Sequence, residues 1–314
     1  GLIVVDTGRD LSTVGQLTVL GLIQAGGLGI MTISTFFALL LGRNIGLRGE
    51  FALRQAIGAR QAGSAIRLVK FFVLSTLIVE CLGTIFLAWQ FSHLGLSVGA
   101  SFYTGFFHSV SAFCNAGFSL FSDSLMSLTE HPGIALAVSG LIILGGLGFG
   151  VLYAGLRLAE NRSGFNLHVR LVLVATAVLL LCGGLGIWAL ERNHALAGMP
   201  WGEAGLHAWF QSVTTRTAGF NTIEISQLSA ATQILMMFLM FVGAAPGSTG
   251  GGVKVTTLVV LLLVIRAVLS GQENVMVAGR CLPHKVVLNA VALVSLGLLF
   301  LASVSVMLIV TQPL

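Results

Sequence analysis

Residues 210–220 read Phe210-Gln211-Ser212-Val213-Thr214-Thr215-Arg216-Thr217-Ala218-Gly219-Phe220, and the same order of residue types stands at Phe107-His108-Ser109-Val110 followed by Asn115-Ala116-Gly117-Phe118. Each copy opens with a semi-polar stretch, from Tyr103 to Phe113 and from Gly205 to Thr214, and closes on a glycine between Ala and Phe. A membrane span needs about 20 apolar residues. These two segments are too short for that and are expected to enter the bilayer and turn back.

Longer apolar runs surround them, near 11–41, 66–89, 132–157, 167–190, 227–270 (interrupted) and 286–310. Hydrophobic residues make up 56% of the 314 and charged residues 9%, against about 25% charged in a soluble domain. The expected fold is therefore an all-α membrane protein built of tandem helix, pore loop, helix units. A third, partial copy at Gly1-Leu2 gives a repeat of roughly 100 residues. The helix that follows it carries Gly26-Gly27-Leu28-Gly29, and the helix after the first full loop carries Gly145-Gly146-Leu147-Gly148. The units are expected at 1–45 (partial), 64–160, 165–270 and 285–314 (start only). Both ends of the sequence read as cut, which makes the chain a fragment in this reading.

Charge sets the expected orientation. Twelve of the sixteen Lys and Arg residues lie in the connectors away from the loops, and seven of the eleven acids lie on the loop side. By the positive-inside rule the connectors are cytoplasmic and the loops enter from outside. The connector 46–63 is either an amphipathic interfacial helix or a plain basic loop. Dispersed basic residues give no nucleic-acid face. Cys81, Cys114, Cys182 and Cys281 lack metal or disulfide spacing, and no catalytic motif argues for an enzyme.

A dehydrated cation in a bilayer needs oxygens in place of water, and a short extended segment after a pore helix supplies them from backbone carbonyls. That role is assigned to Gly1, to Asn115, Ala116, Gly117 and Phe118, and to Thr217, Ala218, Gly219 and Phe220. Gly243-Ala244-Ala245-Pro246-Gly247-Ser248-Thr249-Gly250-Gly251-Gly252-Val253-Lys254 breaks a helix at membrane depth, through proline and crowded glycines. It is either a simple kink or a structured barrier. Glu80 and Lys254 are the ionisable groups inside the membrane. Glu80 suits a hydrogen bond between helices or an aqueous crevice. Lys254 would oppose cations or pair with a carboxylate. Arg216 is expected to brace its loop from behind, and His108 to pack. Asp6, Asp123 and Glu224 follow Gly1, Gly117 and Gly219 by five, six and five residues. They form an acidic outer mouth, unless acids simply collect on that side.

Together, the run Gly1 to Gly8, the helix Gly21 to Gly29, the loops at 115–118 and 217–220, and Gly247 to Lys254 resemble the Trk/Ktr/HKT potassium transporter superfamily, nearest the KtrB-type membrane subunit. The resemblance implies four repeats around one pore, one filter glycine in each, and a gate at Gly247, Ser248, Thr249, Gly250, Gly251, Gly252 and Lys254. It further implies potassium uptake across a bacterial plasma membrane, with or without sodium coupling. No cofactor is implied beyond the transported ion. The expected partners are a second copy in a homodimer, a cytosolic nucleotide-binding regulatory subunit and membrane lipid. A secondary transporter of another solute, with broken midplane helices, is the alternative reading.

Overall fold

The computed structural model describes residues 5–29, 65–128, 130–159, 167–272, 274–277 and 279–311. The expected filter glycine Gly1 and the 46–63 connector lie outside the described residues. Apart from a ladder of two-residue strands pairing Met276 with Cys281, the described elements are helical. In chain order the α-helices are α1 Thr13–Leu28, α2 Ala65–Ser92, α3 Val98–Phe113, α4 Pro132–Leu147, α5 Phe149–Ala159, α6 Leu167–Glu191, α7 Trp201–Thr214, α8 Ala230–Phe241, α9 Val255–Leu269 and α10 His284–Thr311.

Val69–Ser92 within α2, α6 and α10 are 24, 25 and 28 residues long and apolar throughout. At 1.5 Å per residue each exceeds the hydrocarbon core of about 30 Å. The chain is therefore membrane-embedded. Its outward faces carry Leu82, Ile85, Leu181, Leu185 and most of α10. By contrast α3 and α7, with 16 and 14 residues, reach only about 24 and 21 Å. They are the re-entrant helices expected from the sequence.

Serine caps fix where three of these helices begin. The side chains of Ser12, Ser97 and Ser229 accept the amides of Gly15, Ala100 and Thr232, which satisfies donors that a helix start leaves orphaned. At the C-terminal end of α6, Arg192 lies 4.0 Å from the Trp201 ring centroid and 5.1 Å from that of Trp188. Such aromatic groups settle at the bilayer surface.

The run 132–157 departs from the sequence reading. It reads in sequence as one uninterrupted apolar run, but it bends by 95° between α4 and α5, at Gly148 with φ 83°. Helix α1 ends on Gly29 with φ 79°, so the two Gly-Gly-Leu-Gly motifs stop their helices alike. Only glycine holds this left-handed backbone without steric cost.

The largest core cluster joins α1, α2, α3 and α4 through Leu20, Phe72, Leu87, Phe107 and Val138, and it includes Ala218 and Phe220 of the second loop. The core therefore sits behind the loops and holds them.

Candidate ion pathway

One pairing of the same kind fixes each re-entrant helix. Ser109 Oγ donates to the Glu80 carbonyl at 2.8 Å, and Ser212 Oγ donates to the Leu180 carbonyl at 2.8 Å. Gly83 and Gly183 let these serines approach, since a Cβ at either glycine would meet the serine hydroxyl. Two residues on, Ser111 Oγ donates to the Phe118 carbonyl and Thr214 Oγ1 to the Phe220 carbonyl, both at 2.7 Å. The loops are thus braced from behind in the same way. The carbonyls of Phe118 and Phe220 are engaged there.

The residues before them behave differently. Asn115 and Gly117 have φ of 52° and 72°, and Thr217 and Gly219 have 70° and 90°, while Ala116 and Ala218 between them do not have positive φ. Alternating the sign of φ turns successive carbonyls toward one side. Among the described residues no donor reaches the carbonyls of Asn115, Ala116, Gly117, Thr217, Ala218 or Gly219. Asn115, Gly117 and Ala218 are buried, and buried carbonyls are rarely left so. The two loops also touch, because a Cβ on Gly117 would lie 2.9 Å from Gly219 Cα and closer still to the Ala218 oxygen. The C-terminal ends of α3 and α7 point their partial negative charge at this spot.

Beneath the loops, residues 242–254 separate α8 from α9. This stretch is folded rather than merely kinked. Gly243 N donates to Val253 O, Ala244 N to Gly251 O, Ala245 N to Gly146 O and Thr249 N to Gly145 O, at 3.0 to 3.2 Å. Lys254 Nζ donates to the Gly250 carbonyl at 2.8 Å, and no carboxylate pairs with it among the described residues. Arg216 is buried and points Nη2 at the Gly243 carbonyl, 3.4 Å away, which ties it to this loop and not to the carbonyl cluster.

Asn115 and Thr217 reach the same loop. Asn115 Nδ2 donates to Thr249 Oγ1 at 2.8 Å, and the Gly251 amide donates to Thr217 Oγ1 at 3.1 Å. These two links were not anticipated, since they join residues 134 and 34 apart in sequence.

Glu80 is buried between α2, α1 and the end of α3. Its Oε1 lies 3.8 Å from Cys114 Sγ, which also faces Gln24 Oε1 at 3.9 Å. His108 packs among Phe91, Phe107, Phe121 and Phe220 and is held by Thr104 O and Ser119 Oγ at 2.8 and 2.9 Å. The three acids stand beyond the loops, each closing its own turn. Asp6 Oδ1 accepts the amides of Gly8 and Arg9, Asp123 accepts from Ser127, and Glu224 accepts from Ser226 and Gln227. A hydroxyl bond from Ser122 and the Arg9 amide lower the Asp6 pKa.

Apolar spans, re-entrant helices aimed at bare carbonyls and a broken helix below them define the chain as a membrane transport protein of the cation-pathway class. It belongs to the TrkH cation transport protein family, which matches over residues 1–312; that is a family of transporters and not of enzymes. The Ktr system potassium uptake protein B of Vibrio alginolyticus is 36% identical, covering 99% of this chain and 69% of that protein. The protein of the same name from Bacillus subtilis is 35% identical, covering 96% and 67%. The solved potassium transporter TrkH of Vibrio parahaemolyticus shares the fold, with a TM-score of 0.72 at 20% identity over 95% of this chain and 60% of that one. The chain thus spans about two thirds of the length of these relatives.

Proposed function

We propose that this chain is the membrane-embedded, conducting part of a Ktr/Trk-type potassium uptake system. The observation that carries the reading is the pair of touching loops whose six successive carbonyls, at Asn115 to Gly117 and Thr217 to Gly219, lack hydrogen-bond donors among the described residues. A dehydrated cation of low charge density is stabilised by such dipoles without a carboxylate. Phe118 and Phe220 contribute backbone to the filter and anchor it, and Gly1 supplies a third segment.

In this reading the pore has four units, of which 64–160 and 165–270 are whole here. Residues 247–252 and Lys254 form the gate below the filter. A cation at Lys254 raises the barrier for K+ electrostatically. Asp6, Asp123 and Glu224 form the outer mouth, the loops face outward, and the basic connectors face the cytoplasm of a bacterium. The relatives are named as parts of a Ktr system. That supports a membrane subunit working with other components; in this reading those are a second copy in a homodimer and a cytosolic nucleotide-binding subunit.

The test is rubidium uptake by vesicles holding the full-length protein, with sodium and neutral solutes as competitors. Uptake blocked by potassium and spared by solutes is expected. Solute-driven uptake with no rubidium flux would favour a secondary transporter of another substrate.

A further inference from the structure

The two non-glycine residues that open the candidate filter segments, Asn115 and Thr217, sit in left-handed backbone at φ 52° and 70°. An L residue there costs about 1–2 kcal/mol. Asn tolerates the region, whereas a β-branched Thr is a genuine outlier. Held strain of this kind is compensated by neighbouring contacts, and here the compensation comes from the broken helix. Thr217 Oγ1 accepts the Gly251 amide, and Asn115 Nδ2 donates to Thr249 Oγ1. Thr249 is a hub, because its hydroxyl also donates to the Phe113 carbonyl at the end of α3 and its amide donates to Gly145 O at the end of α4. Asn115 Nδ2 must then be the donor, since the Thr249 proton is already used.

We propose that Asn115–Thr249 and Thr217–Gly251 are tethers that couple the gate loop to the filter, so that the loop cannot withdraw without releasing the left-handed start of both filter segments. The proposal rests on reading 243–254 as a gate. It has a reciprocal consequence, because a cation that binds the intact filter favours the loop in place by the same factor that the loop favours cation binding. Potassium is therefore a ligand that holds its own gate. Asn115 and Thr217 act as positioning residues through their side chains while their carbonyls face the ion.

The experiment uses a reporter thiol in the loop, Ser248→Cys, in full-length protein carrying Cys281→Ser and reconstituted in lipid. Modification by a charged thiol reagent is timed in KCl and in choline chloride of equal ionic strength. In the reporter protein KCl slows modification. Thr249→Val and Thr217→Val, each breaking one tether, speed modification about tenfold, the equivalent of about 1.4 kcal/mol, and shrink the protection by KCl. Thr249→Ser, which keeps the hydroxyl, restores slow modification and protection. Rates that are the same in Val and Ser variants, or a reporter indifferent to KCl, overturn the coupling. Protection by KCl in a protein that carries no rubidium would leave the tethers standing and sink the transport reading instead.

Discussion

Gly117→Ala is the most informative single change, because the glycine is required twice. Its φ of 72° costs an L residue about 1–2 kcal/mol. The new Cβ would also lie 2.9 Å from Gly219 Cα, roughly 0.6 Å inside the optimal carbon–carbon separation of about 3.5 Å. Four hydrogen bonds hold the loop: Asn115 N to Ala112 O, Ala116 N to Ser111 O, Ser111 Oγ to Phe118 O and Asn115 Nδ2 to Thr249 Oγ1. Together they contribute about 2–6 kcal/mol. The braces are of the same order as the backbone strain, and the overlap with the Ala218 oxygen is relieved only if the two loops move apart, so the protein should insert and remain monodisperse while the carbonyls of both loops shift. If about 1.4 kcal/mol of that strain falls on coordination, potassium preference over sodium drops about tenfold. Gly117→Ser should do the same with a larger shift. The assay is rubidium uptake in proteoliposomes against graded sodium. Gly140→Ala, at a helix position where a Cβ meets nothing within 4 Å, is the control and should leave the preference alone. An unchanged preference in well-folded Gly117→Ala would remove this loop from the filter.

Deleting Gly247 to Gly252 should raise basal rubidium leak, and a silent, well-expressed deletion would mean that the stretch is structural. Glu80→Leu copies the residue whose carbonyl plays the same part in the next unit, Leu180, so the span should still insert. Because the Glu80 carboxyl faces Cys114 at the root of the loop, selectivity should fall further in Glu80→Leu than in Glu80→Gln; equal effects would reduce Glu80 to packing. Neutralising Asp6, Asp123 and Glu224 together should raise the half-saturating potassium concentration at low salt and less at high salt, since exposed charges are screened over about 8–10 Å near physiological ionic strength. A shift equal at both salts would deny the acidic mouth. Within that mouth Asp6 is held below its ordinary value, so its charge is present at neutral pH and is lost only as pH falls through the lowered value; its contribution to capture should survive mild acidification.

Much of this was legible from residue types alone. Apolar length separated α2, α6 and α10 from the re-entrant α3 and α7, and the paired Ala-Gly-Phe motifs marked the two loops that touch. The glycines at 117 and 219 are left-handed, as a carbonyl-lined segment requires. The bend at Gly148 was hidden because no charge or proline stands inside the run between Pro132 and Arg157; its one signal was the motif shared with Gly26 to Gly29. The braces at Ser111 and Thr214 had a local signal too, a hydroxyl seven and six residues before each Phe. The Thr249 and Gly251 links had none, since they depend on how residues 242–254 fold back against both loops.

The two irregularities explain each other. Ending α4 at Leu147 leaves carbonyls without intrahelical partners, and in lipid each such group costs several kcal/mol. Those of Gly145 and Gly146 are taken by the amides of Thr249 and Ala245, and the Phe149 amide that restarts the helix is taken by the Gly247 carbonyl. The broken backbone between α4 and α5 is thus satisfied by the broken backbone between α8 and α9. A gate that moves must expose all three groups at once. On the gate reading proposed above, its open position therefore has to lie in water, where freed backbone groups find partners, and not in hydrocarbon.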